Sequence, residues 1–324
     1  MSGSDYDPAI LERELLANAL AQAHPMLRQW RGEALEADLR ETTAASVGTL
    51  TDEAGAQRVA EIMHLLGRPA TSYKGRLLEL GGVRCIAHID FPDPSGSFPF
   101  VKIRQASEPP GAIADWRPLA EGIGRAFDEF RPRAVYFFHP AHLPLRAPAA
   151  RVRMHLLAAP AANVAGRPDA PGLDRVELRR AAGLAFYPDY EAAYAQMLEE
   201  RPDLNGVIEA ESRETLGECL EQGFLFEVLA DGAWSGLIAA RRDLVAGVRG
   251  LQVVEIVLMR AARGQGLGPA VHQRFARAVA AIDPAIVLLG TISAKNAPSL
   301  RTALKAGRLE IGAWHWIDLP QDMM

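Results

Sequence analysis

The chain has 324 residues, of which 49% are hydrophobic and 23% are charged, and its formal net charge at pH 7 is −5. This length and apolar content are sufficient for two globular domains. The negative charge, without a Lys/Arg run interleaved with aromatic residues, argues against a nucleic-acid partner, and no run of about 18 apolar residues predicts a membrane span.

The start of the chain and its two cysteines indicate a compartment. Residues 1–20 are acidic and amphipathic, unlike a signal peptide, which has a basic start and an apolar core. Cys85 and Cys219 have no metal-binding spacing and are typical of buried, reduced residues. We therefore expect a cytoplasmic protein without a metal site.

The first half of the chain predicts an alternation of helices and strands. In chain order these are helices at 9–23 and 52–68, strands at 76–91 and 97–105, a helix at 115–130 and a strand at 132–140. A stretch rich in Ala, Pro and Gly at 159–175 predicts a linker. We therefore expect an N-terminal α/β domain over residues 1–165 and a second domain over 172–320.

The second half predicts a similar order of elements. A strand at 174–181 precedes helices at 189–200 and 211–223, a hairpin at 224–242 and a strand at 251–259. Asp231-Gly232 is typical of the two-residue turn of a hairpin.

Three glycines follow that last strand within five positions. Gly264, Gly266 and Gly268 precede Pro269, which suits the first turn of a helix, and apolar residues at helical spacing follow to Ile282. A glycine loop between a strand and a helix aims unpaired N–H groups at one point, which favours a phosphate or pyrophosphate. The spacing matches neither a P-loop nor, closely, a dinucleotide-binding fingerprint.

The segment Arg263-Gly264-Gln265-Gly266-Leu267-Gly268 resembles the pyrophosphate loop of the GNAT family, the acyl-CoA-dependent N-acyltransferases. A strand at 285–293 follows, and then Asn296, Ser299, Lys305 and Gly307 fall in register with the family's next conserved element. Asn296 is typical of a helix start and Gly307 of a left-handed helix stop. The alternative is a glycine-rich turn that only joins a strand to a helix. The resemblance covers about residues 172–320 and implies an α/β fold with a mixed, mostly antiparallel sheet flanked by helices.

The resemblance implies that acetyl-CoA, or another acyl-CoA, is the co-substrate. The backbone of Val257, Leu258 and Met259 would then contact the pantetheine arm and polarise the thioester carbonyl. The implied co-substrate-binding residues further along the chain are Arg263, Gly264, Gln265, Gly266, Leu267, Gly268, Pro269, Asn296 and Ser299.

Glu255 is a carboxylate inside an otherwise apolar strand, where an unpaired charge is costly. It matches the position from which many members of the family supply a general base, and burial would raise its pKa toward neutrality. The alternative is that strand alternation turns Glu255 to a solvated or salt-bridged face. Ala303 stands where many members have a tyrosine that acts as general acid, and Ser299, Tyr187, Tyr190 and Tyr194 are candidate substitutes that spacing alone does not place.

The N-terminal half of the sequence allows two interpretations. It either resembles a degenerate second GNAT fold without a co-substrate site, as in tandem members, or is an unrelated α+β domain. His139 and His142 lack partners at metal-ligand spacing, so a zinc site is not expected.

In the closing strand, His315 lies opposite Trp314 and Trp316, and the tryptophans would pack either an apolar substrate or the core.

The sequence therefore predicts an enzyme that transfers an acyl group, in the first instance acetyl, from acyl-CoA to a primary amine of a small molecule, with Glu255 as general base. The alternative is an acyl-CoA-binding or interaction module with little or no catalysis. We expect a monomer or homodimer without membrane or nucleic-acid partners.

Overall fold

The computed structural model describes residues 6–92, 96–113, 115–147 and 149–319. The chain forms two compact units, and each combines segments from distant parts of the sequence. The first unit contains the described residues up to Arg153, the segment Ala246–Val248 and the described residues from Gly312 onward. The second unit contains Met154–Val245 and Arg249–Ile311.

The α-helices of the described residues are α1 (Pro8–Gln22), α2 (Pro25–Arg31), α3 (Ala34–Gly48), α4 (Glu53–Ile62), α5 (Arg117–Ala126), α6 (Ala161–Ala165), α7 (Tyr187–Glu200), α8 (Arg213–Glu221), α9 (Gly268–Ala280) and α10 (Ala297–Lys305). The strands are β1 (Arg76–Leu80), β2 (Val83–Asp90), β3 (Phe100–Ala106), β4 (Ala134–Pro140), β5 (Arg151–Pro160), β6 (Val176–Arg180), β7 (Leu225–Ala230), β8 (Ala233–Val245), β9 (Val248–Leu258), β10 (Val287–Ser293) and β11 (Leu309–Asp318).

The first unit has a mixed sheet in the order β1, β2, β3, β4 and the Gly312–Asp318 part of β11. Neighbouring strands are antiparallel except β3 and β4, which are parallel. One face carries the larger core, in which Ile123 of α5 and Phe137 of β4 are fully buried. Ile86 on the opposite face packs against Leu11 and Leu15 of α1.

The second unit has its own mixed sheet, in the order β5, β10, β9, β8, β7, β6. Strand β10 pairs antiparallel with β5 and parallel with β9, whereas β6, β7 and β8 form an antiparallel meander. The turn between β7 and β8 is Asp231-Gly232, with positive φ angles of 50° and 79°, which are those of the predicted hairpin turn.

Helices cover both faces of this second sheet. On one face, α9 buries Val271, Phe275 and Val279 against the strands. On the other face, Tyr190 of α7 and Leu216 of α8 are buried. The predicted α/β class, with mixed and mostly antiparallel sheets flanked by helices, is therefore confirmed.

The predicted linker at 159–175 is wrong at its start. Strand β5 continues to Pro160 and α6 follows at once, and Ala158 and Ala159 are fully buried in the second unit. These small residues fit between close-packed elements, so their abundance reflects packing and not flexibility. Helices α2 and α3 were not predicted. Residue 320, the predicted end of the second domain, lies outside the described residues.

Candidate functional site

A cleft of about 960 Å³ opens in the second unit where β9 and β10 stop pairing. The two parallel strands pair at Leu251 with Leu288 and at Gln252 with Leu289. Beyond these pairs, Val253–Leu258 on one side and Gly290–Ser293 on the other line the cleft. The diverging strands therefore expose backbone and side chains that a continuous sheet would cover.

The glycine loop forms one wall of this cleft. Gly264 and Gly266 adopt left-handed φ angles of 75° and 74°, and a Cβ on either residue would meet no other atom within 4 Å. Helix α9 begins at Gly268, and Leu267 before it provides no side-chain cap to the first turn. The first-turn N–H groups are thus available to an anion in the open space beside the loop.

Gly268 differs from the other two glycines of the loop. Its φ is not positive, and a Cβ there would lie 2.6 Å from Cγ2 of Thr302 on α10. Gly268 therefore allows α9 to approach α10 closely. This packing role was not predicted from the sequence.

The polar side chains of the loop hold it in place. Arg263 donates from Nε to the Leu258 carbonyl oxygen at 2.7 Å and from Nη2 to the Ala193 carbonyl oxygen at 3.3 Å. Gln265 donates to the Ala261 carbonyl oxygen at 2.7 Å and accepts from Arg175 at 2.6 Å. Both side chains are thus engaged within the protein, which leaves the backbone as the loop's main means of binding a ligand.

The second predicted motif lines the same cleft. Asn296 caps α10, because its Oδ1 accepts from the backbone N–H of Ser299 at 3.3 Å. Gly307 follows the helix with a φ of 96°, as a left-handed helix stop requires. Pro269, Asn296 and Ser299 are brought together at the cleft with the glycine loop.

Strand β9 changes face just before its end. Val253 packs in the cluster beside α9, whereas Val257 packs in the cluster beside α7 and α8. Residues four apart on a regular strand share one face, so the alternation shifts by one between these positions, as at a β-bulge. Glu255 lies within the shifted segment, and its side chain meets tyrosines of α7.

Glu255 is only 5% exposed and accepts hydrogen bonds from two tyrosine hydroxyls. Tyr190 and Tyr194 both donate to Oε2, the latter at 2.8 Å. Burial raises the pKa of the Glu255 carboxyl from 4.5 to about 7, against the two tyrosine hydrogen bonds, which lower it. The solvated face that the sequence left open for Glu255 is therefore wrong.

The tyrosines belong to a wider hydrogen-bond network. The backbone N–H of Glu211 donates to the Tyr190 oxygen at 2.6 Å, and Tyr187 donates to the Glu211 carbonyl oxygen at 3.2 Å. Burial, followed by the negative charge of Glu255, raises the pKa of Tyr190 and Tyr194, so both stay protonated at neutral pH. The sequence named these tyrosines only as candidate proton donors, and their separations of three and four residues are compatible with one helix face.

Some backbone groups at the end of β9 already make hydrogen bonds within the protein. The N–H of Met259 donates to the Ser235 carbonyl oxygen at 2.8 Å, and the Leu258 carbonyl oxygen accepts from Arg263. Gly236 of β8 approaches so closely that a Cβ there would lie 2.0 Å from the Val257 carbonyl oxygen. The Met259 carbonyl oxygen also accepts from the N–H groups of Ala262 and Arg263, at 2.9 and 3.1 Å. Met259 does not line the cleft, whereas Val257 and Leu258 do.

Two predicted features lie apart from these residues. Ala303, at the position of the absent tyrosine, is fully buried in α10. The described part of β11 places Trp314, His315 and Trp316 in the first unit, where His315 stacks on Phe137 and Trp314 contacts Phe138. None of the three lines the cleft of the second unit.

Two kinds of feature are absent from the described residues. They contain no group of three or more His, Cys, Asp or Glu residues arranged to hold a metal ion. No helix within the described ranges is long and apolar enough to cross a membrane.

No family model and no curated protein matches the chain. Among solved structures, a GNAT-family acetyltransferase from Colwellia psychrerythraea is 12% identical, with a TM-score of 0.48 over 76% of this chain and 86% of that one. A GCN5-related N-acetyltransferase from Kribbella flavida is 12% identical, with a TM-score of 0.42 over 82% and 95%. A tandem GNAT protein from the clavulanic acid biosynthesis pathway is 14% identical, with a TM-score of 0.44 over 84% and 97%.

Proposed function

We propose that this protein is an acyl-CoA-dependent N-acyltransferase of the GNAT type, which transfers an acyl group, in the first instance acetyl, to a primary amine of a small molecule. The observation that supports it most directly is the position of Glu255. A buried carboxyl with a pKa near neutrality lies in the same cleft as an open glycine loop at a helix start.

The cleft suits a CoA ester in shape and charge. Left-handed glycines with open space beside them can bring backbone N–H groups against a pyrophosphate. Arg301 and Lys305, both exposed on α10, add positive charge to the lining near the loop. The resulting binding set is the backbone of 263–268 with Asn296 and Ser299.

The acidic residues of the cleft suit an amine. Glu209, Glu211 and Glu255 belong to its lining, and negative charge favours a protonated amine. An amine must lose a proton before it can act as a nucleophile, and a base with a pKa near the working pH removes it efficiently. The place of Glu255 in the cleft and its raised pKa support the proposal that it is the general base.

When bound, the CoA ester supplies an activated acyl carbonyl. The protein's own contribution is to orient the amine, to accept its proton at Glu255 and to exclude bulk water from the buried carboxyl. Tyr190 and Tyr194 hold Oε2 of Glu255 in a fixed position and stabilise its charged form.

The Glu255→Gln variant tests this proposal. It keeps the size of the side chain but cannot accept the proton, so the affinity for acetyl-CoA should hold while kcat falls by roughly 10²- to 10⁴-fold. Calorimetry with acetyl-CoA and a thiol-release assay over a panel of amines measure the two quantities. Full turnover by this variant on a verified amine would show that the base is another residue.

One observation favours a second function, binding of acyl-CoA with little catalysis. Ala303 offers no proton to a departing thiolate, although a thiolate is already a fair leaving group. Tight acetyl-CoA binding by the wild type without turnover of any amine in the panel would support this second function over the enzyme.

A further inference from the structure

Arg308 is a buried cation without a counter-ion in the second unit. The side chain is 2% exposed, and its Nη1 donates to the Leu289 carbonyl oxygen at 3.3 Å. The remaining nitrogens, Nε and Nη2, have no hydrogen-bond partner among the described residues. Burial lowers the pKa of Arg308 to about 10, so the guanidinium stays charged at neutral pH. An unpaired charge in this environment is strongly unfavourable unless a ligand supplies the opposite charge.

The surroundings of Arg308 are shaped to hold the guanidinium. A Cβ on Gly290 of β10 would lie 2.6 Å from Nη1, so only glycine leaves room for the guanidinium at this strand position. His272 of α9 is 4% exposed, and its Nδ1 also lacks a partner among the described residues. Burial, and then the nearby Arg308, lower the pKa of His272, so the imidazole is neutral and can donate one hydrogen bond.

These three residues belong to the wall of the cleft itself. Arg308, His272 and Gly290 all line it, near the point where Leu289 pairs with β9. The unpartnered atoms of Arg308, Nε and Nη2, form one edge of the guanidinium, which can donate two parallel hydrogen bonds. That edge matches the two oxygens of a carboxylate.

We propose that Arg308, with His272, binds a carboxylate group of a substrate in the cleft. This inference rests on the proposed function and narrows its substrate class to molecules that carry a free carboxylate. The carboxylate comes from one of two sources, the acyl part of a dicarboxylic acyl-CoA or the amine acceptor. A phosphate dianion fits less well, because it calls for more donors than one guanidinium edge and an imidazole, and the helix start at the glycine loop already suits phosphate.

The experiment compares matched ligands that differ by one carboxylate. The donor arm measures the affinities of succinyl-CoA and acetyl-CoA, with CoA as reference, and the acceptor arm measures 4-aminobutyrate against butylamine. In one arm the wild type should prefer the carboxylate ligand by roughly 10- to 100-fold, the range of a charge-assisted hydrogen-bond pair. Arg308→Met should abolish that preference, and the arm that shows it identifies the source.

Arg301→Met is the matched control, because Arg301 lines the same cleft but is exposed. It should weaken the binding of both CoA esters by the same factor and leave the preference for the carboxylate ligand unchanged. Loss of the preference in both arginine variants would indicate diffuse charge and overturn the proposal. So would the absence of a preference in both arms, or a preference that Arg308→Met retains.

A melting-temperature measurement separates ligand binding from a structural role. Without ligand, Arg308→Met should melt at the same or a higher temperature than the wild type, because it removes an unpaired buried charge. Succinate and 4-aminobutyrate should raise the melting temperature of the wild type more than that of the variant. A lower melting temperature of Arg308→Met, with no difference in its response to these two ligands, would overturn the proposal.

Two further outcomes remain decisive. If Arg308→Met does not fold, Gly290→Ala replaces it, since the added Cβ displaces the guanidinium while its charge is kept. If CoA itself does not bind to the wild type, the proposed function fails. The response to succinate and 4-aminobutyrate then still decides whether Arg308 forms a carboxylate site.

Discussion

At the scale of single residues, the cleft is defined by charges that burial makes costly. Glu255 and Arg308 are both nearly inaccessible, yet both belong to the lining of the same cleft. Buried titratable groups with shifted pKa values cluster at functional sites. Glu255 was predictable because a lone carboxylate interrupts an apolar strand. The role of Arg308 was not, because the residue pattern around it does not show where the guanidinium lies.

Titration of Glu255 should make the stability of the protein depend on pH. Its pKa is about 7 in the folded protein against 4.5 for the free group, so the folded state binds more protons between these values and stability falls as pH rises through this window. Glu255→Gln removes this loss. Its free energy of unfolding relative to the wild type should therefore increase by about 3 kcal/mol between pH 4.5 and 8, as measured by urea denaturation at several pH values.

Two tyrosine variants provide the control. Tyr194→Phe removes a hydrogen bond that lowers the pKa of Glu255, so the stability loss should extend to a higher pH. Tyr187→Phe removes a hydroxyl that bonds to Glu211 and not to Glu255, so the window should stay where it is in the wild type. A pH dependence of Glu255→Gln identical to that of the wild type would contradict the assignment of a raised pKa to Glu255.

At the scale of elements, the sequence predicted those parts whose local pattern is strong. Helix α10 has its cap at Asn296 and its stop at Gly307, and both were predicted from residue type. Strand β5 was missed because Leu156–Ala159 are buried and give no alternation, and because Ala and Pro follow. Its identity as a strand depends on pairing with β10, a partner more than a hundred residues away along the chain.

The glycine loop allows a prediction that separates its two roles. Gly266→Val should weaken acetyl-CoA binding at least about tenfold, because a branched side chain fills the open space beside the loop and is strained at a φ of 74°. Gly268→Ala should instead lower stability, through contact with Cγ2 of Thr302. Calorimetry and thermal melts measure the two effects.

A second substitution checks the interpretation of Gly268. Thr302→Ser removes the methyl group that the new Cβ would meet, so the double variant Gly268→Ala/Thr302→Ser should recover most of the lost stability. Unchanged acetyl-CoA affinity in a folded Gly266→Val variant would remove the loop from the proposed binding site.

At the scale of the whole molecule, neither unit is a continuous stretch of chain. The second unit includes Met154–Pro160 of β5, which pairs with all seven residues of β10. The first unit includes Gly312–Asp318 of β11, which pairs with all seven residues of β4. Sequence patterns indicate where strands occur but not which strands they pair with. The placement of β5 in the second unit and of β11 in the first was therefore not predicted.

A pair of truncations tests the place of β5. A fragment that starts at residue 172 lacks β5 and leaves the edge of β10 unpaired, so we expect it to aggregate or stay unfolded. A fragment that starts at residue 151 restores the seven pairs and should show more native far-UV circular dichroism and a smaller hydrodynamic size. A soluble, folded 172–324 fragment that binds acetyl-CoA would contradict this expectation.

The position of β11 near the end of the sequence also affects when the first unit can fold during translation. About 160 residues separate Arg153 from Gly312, which a ribosome adds in roughly 8 to 30 s at ordinary elongation rates. Throughout that interval the edge of β4 that later binds β11 has no partner, and an unpaired strand edge invites association with other chains. The first unit therefore cannot complete its sheet as the nascent chain emerges, and its final folding step waits until the whole of the second unit has been translated.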